Sequence, residues 1–167
     1  MYDESKRFAE SATHSYITTH NLNGSIARIF NTYGPNMQID DGRVVTNFIY
    51  QALKGKEITI YGNGEQTRSF SYIDDTLDGI LKIIHYEKSD VFNIGNDNEV
   101  TIKYLAEKII ELTNSNSKIV YHELPINDPK QRKPDLTKAK KLLNYKPKTS
   151  LEDGLKLTID WISANYK

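Results

Sequence analysis

The chain has 167 residues, 38% of them apolar, with 22 basic side chains against 22 acidic ones and no cysteine. That length fits one domain or a large piece of one. Zero net charge argues against nucleic acid as the main partner, because phosphate binding draws on a positive excess; the lack of cysteine excludes a disulfide scaffold, a thiolate nucleophile and a thiolate-bound metal.

Residues 3–20 combine good helix formers with no proline and no glycine, which predicts a helix. Asn21 to Gly24 reads as a turn. The short β-branched run 25–30 predicts a strand, broken by Thr32-Tyr-Gly-Pro-Asn36. Val44, Val45, Phe48, Ile49, Ala52 and Leu53 recur at helical spacing, and Gly55 is placed to end that helix. Further strands are expected over 58–61, 67–73, 91–94 and 118–124. Asp74 or Asp75 can cap a helix that carries Leu77, Ile80, Leu81 and Ile84. Thr101 opens another, with Ile102, Leu105, Ala106, Ile109 and Ile110 on one face. Residues 125–135 read as a long polar loop with three prolines. Two helices finish the chain, the last opened by Ser150-Leu-Glu-Asp153, which resembles a capping box.

Strands alternating with helices predict an α/β protein. A cofactor-binding open sheet normally starts with a strand and a glycine-rich turn, whereas this chain starts with a helix. Its nine glycines contain no G-x-G-x-x-G, since Thr67 stands where a third glycine would follow Gly62 and Gly64. The pattern reads as half of a larger fold. No run of about 18 apolar residues exists, so no membrane span is expected. The charged start does not read as a signal peptide, and a cytoplasmic protein is the expectation. His14, His20, His85 and His122 show no metal-ligand spacing, so no metal is expected.

Tyr2 and Lys6 stand one helical turn apart. A phenol titrates near pH 10, too high for a base at neutral pH, and a nearby cation lowers that value. Such a pair can take a proton from a sugar hydroxyl while hydride leaves the same carbon. Tyr50/Lys54 and Tyr104/Lys108 share the spacing, so spacing alone does not separate a catalytic pair from a surface helix. Of the five arginines, Arg43, Arg68 and Arg132 lie in ligand-loop positions suited to pairing with anions; solvated surface positions are the alternative. Asp74-Asp75 reads as a helix cap rather than a carboxylate dyad, and Glu4, Arg7 and Glu10 as a solvated helix face.

Context singles out the first pair. Tyr2-Asp-Glu-Ser-Lys-Arg-Phe-Ala-Glu10 is followed by Ala27-Arg-Ile-Phe-Asn-Thr-Tyr-Gly-Pro35, then Asp41-Gly-Arg-Val-Val45, Tyr61-Gly-x-Gly-x-Gln-Thr-Arg68 and Gln131-Arg-Lys-Pro-Asp135. This ordered series resembles the extended short-chain dehydrogenase/reductases that act on nucleotide sugars, the NAD-dependent epimerase/dehydratase family. It covers nearly the whole chain and corresponds to the C-terminal half of that family. Within it, the likeness is greatest to the enzymes that decarboxylate UDP-glucuronate to UDP-xylose.

The resemblance implies the last elements of a Rossmann-type sheet plus a small α/β substrate-binding domain. Residues 1–34 would end the Rossmann-type part and 35–167 would be mainly substrate-binding, with 74–95 returning to the sheet. It implies NAD as cofactor and a UDP-sugar as substrate. Tyr2 would be the general base on the sugar 4-hydroxyl, and Lys6 would hold the nicotinamide ribose. Oxidation at C4 would let the C5 carboxylate leave as CO2, and re-reduction would regenerate the cofactor. Thr32 and Gln38 match positions on the nicotinamide side. Asn31 matches a substrate contact near the pyrophosphate, although an ordinary turn after a strand would look the same. Arg43, Val45, Tyr61, Gln66 and Arg68 match the nucleotide pocket. Arg132 matches an arginine placed near the substrate in decarboxylases, unlike the pattern in 4-epimerases and 4,6-dehydratases; a basic loop between helices is the bland alternative.

The family's glycine-rich NAD loop has no counterpart here. The chain is therefore expected to keep much of the substrate pocket but little or no turnover alone. Its sheet would have a raw edge and an uncovered apolar face, which points to a homodimer or to pairing with a separate N-terminal half. A nucleotide-sugar 4-epimerase or 4,6-dehydratase is the alternative within the same fold; a non-catalytic nucleotide-sugar binding module and an interaction protein with incidental motifs are the readings from other classes.

Overall fold

A computed structural model of the chain describes residues 1–39, 41–123 and 131–166, the side chain of Tyr2 excepted. Helix α1 (Tyr2–Thr19) opens the fold. Asn21, at φ 50°, turns the chain where the Leu22 N–H donates to the Ile17 carbonyl at 3.0 Å. Strand β1 (Ile26–Ile29) follows, then β2 (Thr32–Tyr33), α2 (Val44–Leu53), β3 (Ile58–Tyr61), β4 (Thr67–Ser69) and β5 (Ser71–Tyr72). Next come α3 (Ile73–Ile84), β6 (Val91–Ile94), β7 (Glu99–Thr101), α4 (Ile102–Thr113) and β8 (Ile119–His122). The described chain ends with β9 (Gln131–Arg132), α5 (Thr137–Leu143) and α6 (Leu151–Asn165). The α/β class expected from the sequence is what the structure shows.

Parallel pairs dominate. β1 pairs with β6, Ile26 opposite Val91 and Ile29 opposite Ile94. β2 pairs with β5, and β3 with β8. β4 lies between β7, antiparallel, and β9, parallel. The main core gathers α2, α4 and α6 around β3 through Phe48, Ile49, Ile58, Ile60, Leu105, Ile109, Leu155 and Ile162. A second cluster joins Ile83, Phe92, Ile94, Leu136, Leu143 and Tyr145. There the Tyr145 hydroxyl donates to the Gly95 carbonyl at 2.7 Å, and burial pushes its phenol up to about 12.

The expected helix ends are present. Gly55 takes a positive φ of 62° after α2. The Thr101 hydroxyl accepts from the Tyr104 N–H at 3.0 Å. Ser150 accepts from the Asp153 N–H at 3.1 Å while donating to the Asp153 carboxylate at 2.6 Å.

Four expectations change. The 67–73 stretch is two strands in different sheets, because Phe70 turns inward, edge-on to Tyr33 at 6.4 Å, and the Ser71 N–H then donates to Asn31. Within the polar 125–135 segment, Gln131 and Arg132 form β9; Leu124 and residues 125–130 lie outside the described residues. Neither Asp74 nor Asp75 caps α3, since both fall in its first turn with Tyr72 at the cap. Finally, α3 does not bury its apolar stripe: Leu77, Leu81 and Ile84 are 47–69% exposed. It packs instead through Asp75, Thr76, Gly79 and Ile83.

Gly79 explains that choice of face. A Cβ there would lie 2.7 Å from Cγ2 of Ile94 and 3.0 Å from the Tyr145 ring. The close approach of α3 to β6 exists only without a side chain at this position. Gly79→Ala should therefore cost about 1–3 kcal/mol through overpacking, despite alanine's better helix propensity. Urea denaturation checks this; an unchanged or raised midpoint would refute it.

Candidate active site

The sequence-selected residues sit at strand ends, helix starts and strand edges. Tyr2 opens α1, and Lys6 follows one turn later on an exposed stretch; the Tyr2 side chain lies outside the described set. The other two Tyr/Lys pairs are surface pairs. Lys54 and Lys56 both lie over the Tyr50 ring, and Lys108 pairs with Glu111 at 2.7 Å.

Asn31 and Thr32 follow β1, where parallel strands direct their carboxyl ends toward ligands in open α/β sheets. The Asn31 carbonyl accepts from Ser71, which leaves its side-chain amide outside that backbone tie. The Thr32 hydroxyl donates to the Phe30 carbonyl at 2.9 Å and meets the Thr76 hydroxyl at 3.1 Å, which in turn donates to Ser71. This hydroxyl is already engaged within the fold.

Arg43 stands at the start of α2, where the first helical amides have no carbonyl partner within the helix. Its guanidinium meets Asp41 at 3.1 Å, and its own N–H donates to the same carboxylate. Val45 is 3% exposed and packs in the main core, so its side chain is a core group. Gln38 lines an open cavity of about 490 Å³ with Ile39, Asn47, Tyr50 and Tyr166.

Tyr61 and Gln66 are brought together. The Gln66 amide donates to the Tyr61 carbonyl at 2.6 Å, which pins the β3–β4 turn. The half-exposed Tyr61 ring lies 5.9 Å from the His122 ring. That aromatic neighbour, 61 positions away, comes from the pairing of β3 with β8 and has no local signal in the sequence.

The central feature is a pair of arginines 64 positions apart. Arg68 on β4 stands directly opposite Arg132 on β9, and also opposite Val100 on β7. Strand alternation sorts the side chains. Thr67, Gln131 and Glu99 occupy one face, and Arg68 and Arg132 the other. On the first face, Glu99 accepts from Thr67 at 2.9 Å and from Gln131 at 2.8 and 3.0 Å, with Lys133 at 3.5 Å. The Gln131 hydrogen bond, with help from Thr67, holds the Glu99 carboxyl below the usual carboxylate range. Its tie is therefore intact at neutral pH and is lost only as pH falls through that lowered value.

Glu99 is thus the fastener that seats the two-residue β9 on β4 and sets Arg132 beside Arg68. Like charges directly opposite on adjacent strands repel. An anion with more than one charge relieves that repulsion, and guanidinium forks match its oxygens. Arg68 is 8% exposed, with Nη1 donating to the Thr67 carbonyl at 2.8 Å, while Arg132 is exposed.

Among the described residues no group of three or more His, Asp or Glu side chains is placed to hold a metal. Among them, too, no helix is long and apolar enough to cross a membrane.

The fold is that of the C-terminal half of an extended short-chain dehydrogenase/reductase. The chain belongs to the GDP-mannose 4,6-dehydratase family, whose model matches residues 1–158. It is 49% identical over 156 residues to UDP-glucuronic acid decarboxylase 5 of Arabidopsis thaliana, a match covering 93% of this chain and 46% of the relative. UDP-glucuronic acid decarboxylase 1 of Xenopus tropicalis is 44% identical, with 96% of this chain and 38% of the relative covered. The chain thus spans less than half the length of these curated relatives. Among solved structures, the UDP-glucose 4-epimerase of Thermotoga maritima with UDP-glucose matches at TM-score 0.93 and 31% identity, over 97% of this chain and 53% of that one. The UDP-glucuronic acid 4-epimerase of Bacillus cereus, with UDP-glucuronic acid and NAD, matches at 0.87 and 32%, over 94% and 50%.

Proposed function

We propose that this chain supplies the substrate-binding part of an NAD-dependent enzyme that decarboxylates UDP-glucuronate to UDP-xylose. The observation that carries the reading is the strand register that sets Arg68 and Arg132 directly opposite each other on β4 and β9, two residues of the type that pairs with a nucleotide diphosphate. Relatives named as UDP-glucuronic acid decarboxylases support the sugar and the reaction.

In this reading Arg68 and Arg132 take the pyrophosphate. The first amides of α2, beside Arg43 and Val45, face the nucleotide as backbone donors. Tyr61, fixed by Gln66, packs its ring on the base, and Asn31 contacts the sugar-phosphate. Tyr2 takes the proton from the 4-hydroxyl and returns it on reduction. Lys6 holds the nicotinamide ribose. Arg132, by its match to the decarboxylases, also assists proton return.

A phenol and an ammonium one turn apart are a donor set suited to a nicotinamide ribose. On that ground NAD fits this chain at Lys6 and Tyr2, with Thr32 and Gln38 on the nicotinamide side. NAD supplies the hydride acceptor at C4 and the donor on the return. The C4 ketone makes the C5 carboxylate β to a carbonyl, so CO2 leaves while the electron pair of the broken bond stays on C5 as the enolate of that ketone, and a proton then returns to C5.

Calorimetric titration tests the reading, with UDP-glucuronate against UDP-glucose and dTDP-glucose. About tenfold preference for UDP-glucuronate is expected, the worth of one charge-assisted contact. Equal affinity for UDP-glucose would favour a 4-epimerase. Binding of none of the three would overturn the pocket assignment. The open β1 edge and exposed Ile29, Leu77, Leu81 and Ile84 support association with a second copy or with a cofactor-binding half.

A further inference from the structure

Helix α1 carries Tyr2 and Lys6, yet almost nothing buries it. Of its described side chains, only Glu10 and Ile17 are even half-buried. Ile17 anchors the far end locally, since a Cβ at Gly24 would lie 2.9 Å from its Cδ1. Near the middle of the helix one long-range tie stands out. Arg28 Nε donates to Glu10 Oε1 at 2.7 Å, and Arg28 Nη2 donates to Oε2 at 2.6 Å.

This is a two-point fork, so it fixes orientation as well as distance. Glu10 lies four residues after Lys6 and eight after Tyr2, on the same side of the helix. Arg28 lies on β1, three residues before Asn31. The pair therefore joins the helix bearing the proposed base to the strand that leads into the proposed substrate loop. It also corrects the sequence reading of Glu10 as part of a solvated face. The Arg28 hydrogen bond holds the Glu10 carboxyl below its ordinary range, so the pair is charged at neutral pH.

We propose that Arg28 and Glu10 are positioning residues, whose two-point ion pair sets the rotation of α1 on β1 and so keeps Lys6 and the start of α1 in register with Asn31–Thr32. The functional part of this inference rests on the proposed role of Tyr2 and Lys6; the mechanical part does not.

Amide hydrogen exchange on the chain tests the mechanical part without substrate. Glu10→Gln and Arg28→Lys should both speed exchange over residues 6–14 by about two- to fivefold, the range of an exposed ion pair. Arg28→Lys is the decisive variant, because it keeps the charge and loses the fork. The reversed pair E10R/R28E should return exchange to within about twofold of wild type. Exchange over α4 should not change. Wild-type exchange in Arg28→Lys would overturn the proposal, as would acceleration spreading equally to α4 or failure of the reversed pair to rescue. In turnover assays with the cofactor-binding half present, the single variants should lower kcat about tenfold or more and leave KM within twofold, as misplacement of a reacting group does. Unchanged kcat beside accelerated exchange would remove the positioning role. Failure of wild type to bind UDP-glucuronate would sink the proposed function, while the exchange data would still decide the clamp.

Discussion

Arg68→Ala is expected to weaken UDP-glucuronate binding about 10- to 100-fold, and Arg132→Ala about tenfold, each measured by calorimetry. A hydrogen bond to a charged group contributes about 1.5–3 kcal/mol, which is roughly one to two decades in affinity. Arg68 stands at the upper end because it is buried and held by the Thr67 carbonyl before any ligand arrives. Little rotamer freedom remains to be lost on binding. Arg132 is exposed and must be ordered by the ligand, so part of its gain is cancelled. Arg68→Lys should recover only a small part of the loss, because an ammonium lacks the planar fork. The double variant should lose less than the sum of the two, since both groups act on one anion and each removal relieves repulsion on the other. Melting temperatures within a few degrees of wild type would show that Arg132→Ala acts at the ligand. Affinity unchanged within twofold in both single variants would end the assignment of this pair as the pyrophosphate site.

The sequence made some of this legible and hid the rest, for reasons that differ by residue. α2, α4 and α6 are long enough for helical periodicity to emerge, and Gly55, Thr101 and Ser150 mark an end of each with local chemistry. β9 is two residues long, too short for any alternation. Its existence depends on Glu99, which is 32 positions from Gln131 and meets it only in the fold. α3 shows a different limit. Periodicity finds the apolar stripe Leu77–Leu81–Ile84, but it does not say which face this chain covers. The buried face is built from Gly79, Asp75 and Thr76, none of which reads as apolar. Val45 illustrates two signals in conflict. Its helical spacing places it in the core, and the family resemblance places it in the nucleotide pocket. The buried side chain satisfies the first, and only its backbone is left for the second. Arg68 and Arg132 belong to separate motifs, and their adjacency comes from strand register, which no local pattern encodes.

Asp75→Ala is expected to cost about 2 kcal/mol and to lower Tm by about 4–8 °C for a chain of this size, because it removes the buried carboxylate that accepts from two part-buried backbone donors. Asp75 is 7% exposed, and its two oxygens accept from the Lys148 N–H at 2.9 Å and the Thr149 N–H at 3.0 Å. Those amides immediately precede Ser150, the cap of α6. One carboxylate on the first turn of α3 therefore fixes where α6 begins. The next residue, Leu151, accepts the Tyr33 hydroxyl at 3.2 Å, and Gly154 lies so close to that hydroxyl that no side chain fits there. Tyr33 is itself 2% exposed, and desolvation raises its phenol well above the ordinary value. It thus stays a neutral donor across the working pH range. Asp75→Asn should rescue little. An amide offers one acceptor and turns two donors toward the second N–H, so it exchanges a missing bond for a repulsive contact. Ser150→Ala, which removes only the cap, should cost about 1 kcal/mol. Thermal denaturation followed by circular dichroism separates the three. If Asp75→Ala melted within 2 °C of wild type, or no lower than Ser150→Ala, the seating of α6 would rest on its apolar face alone.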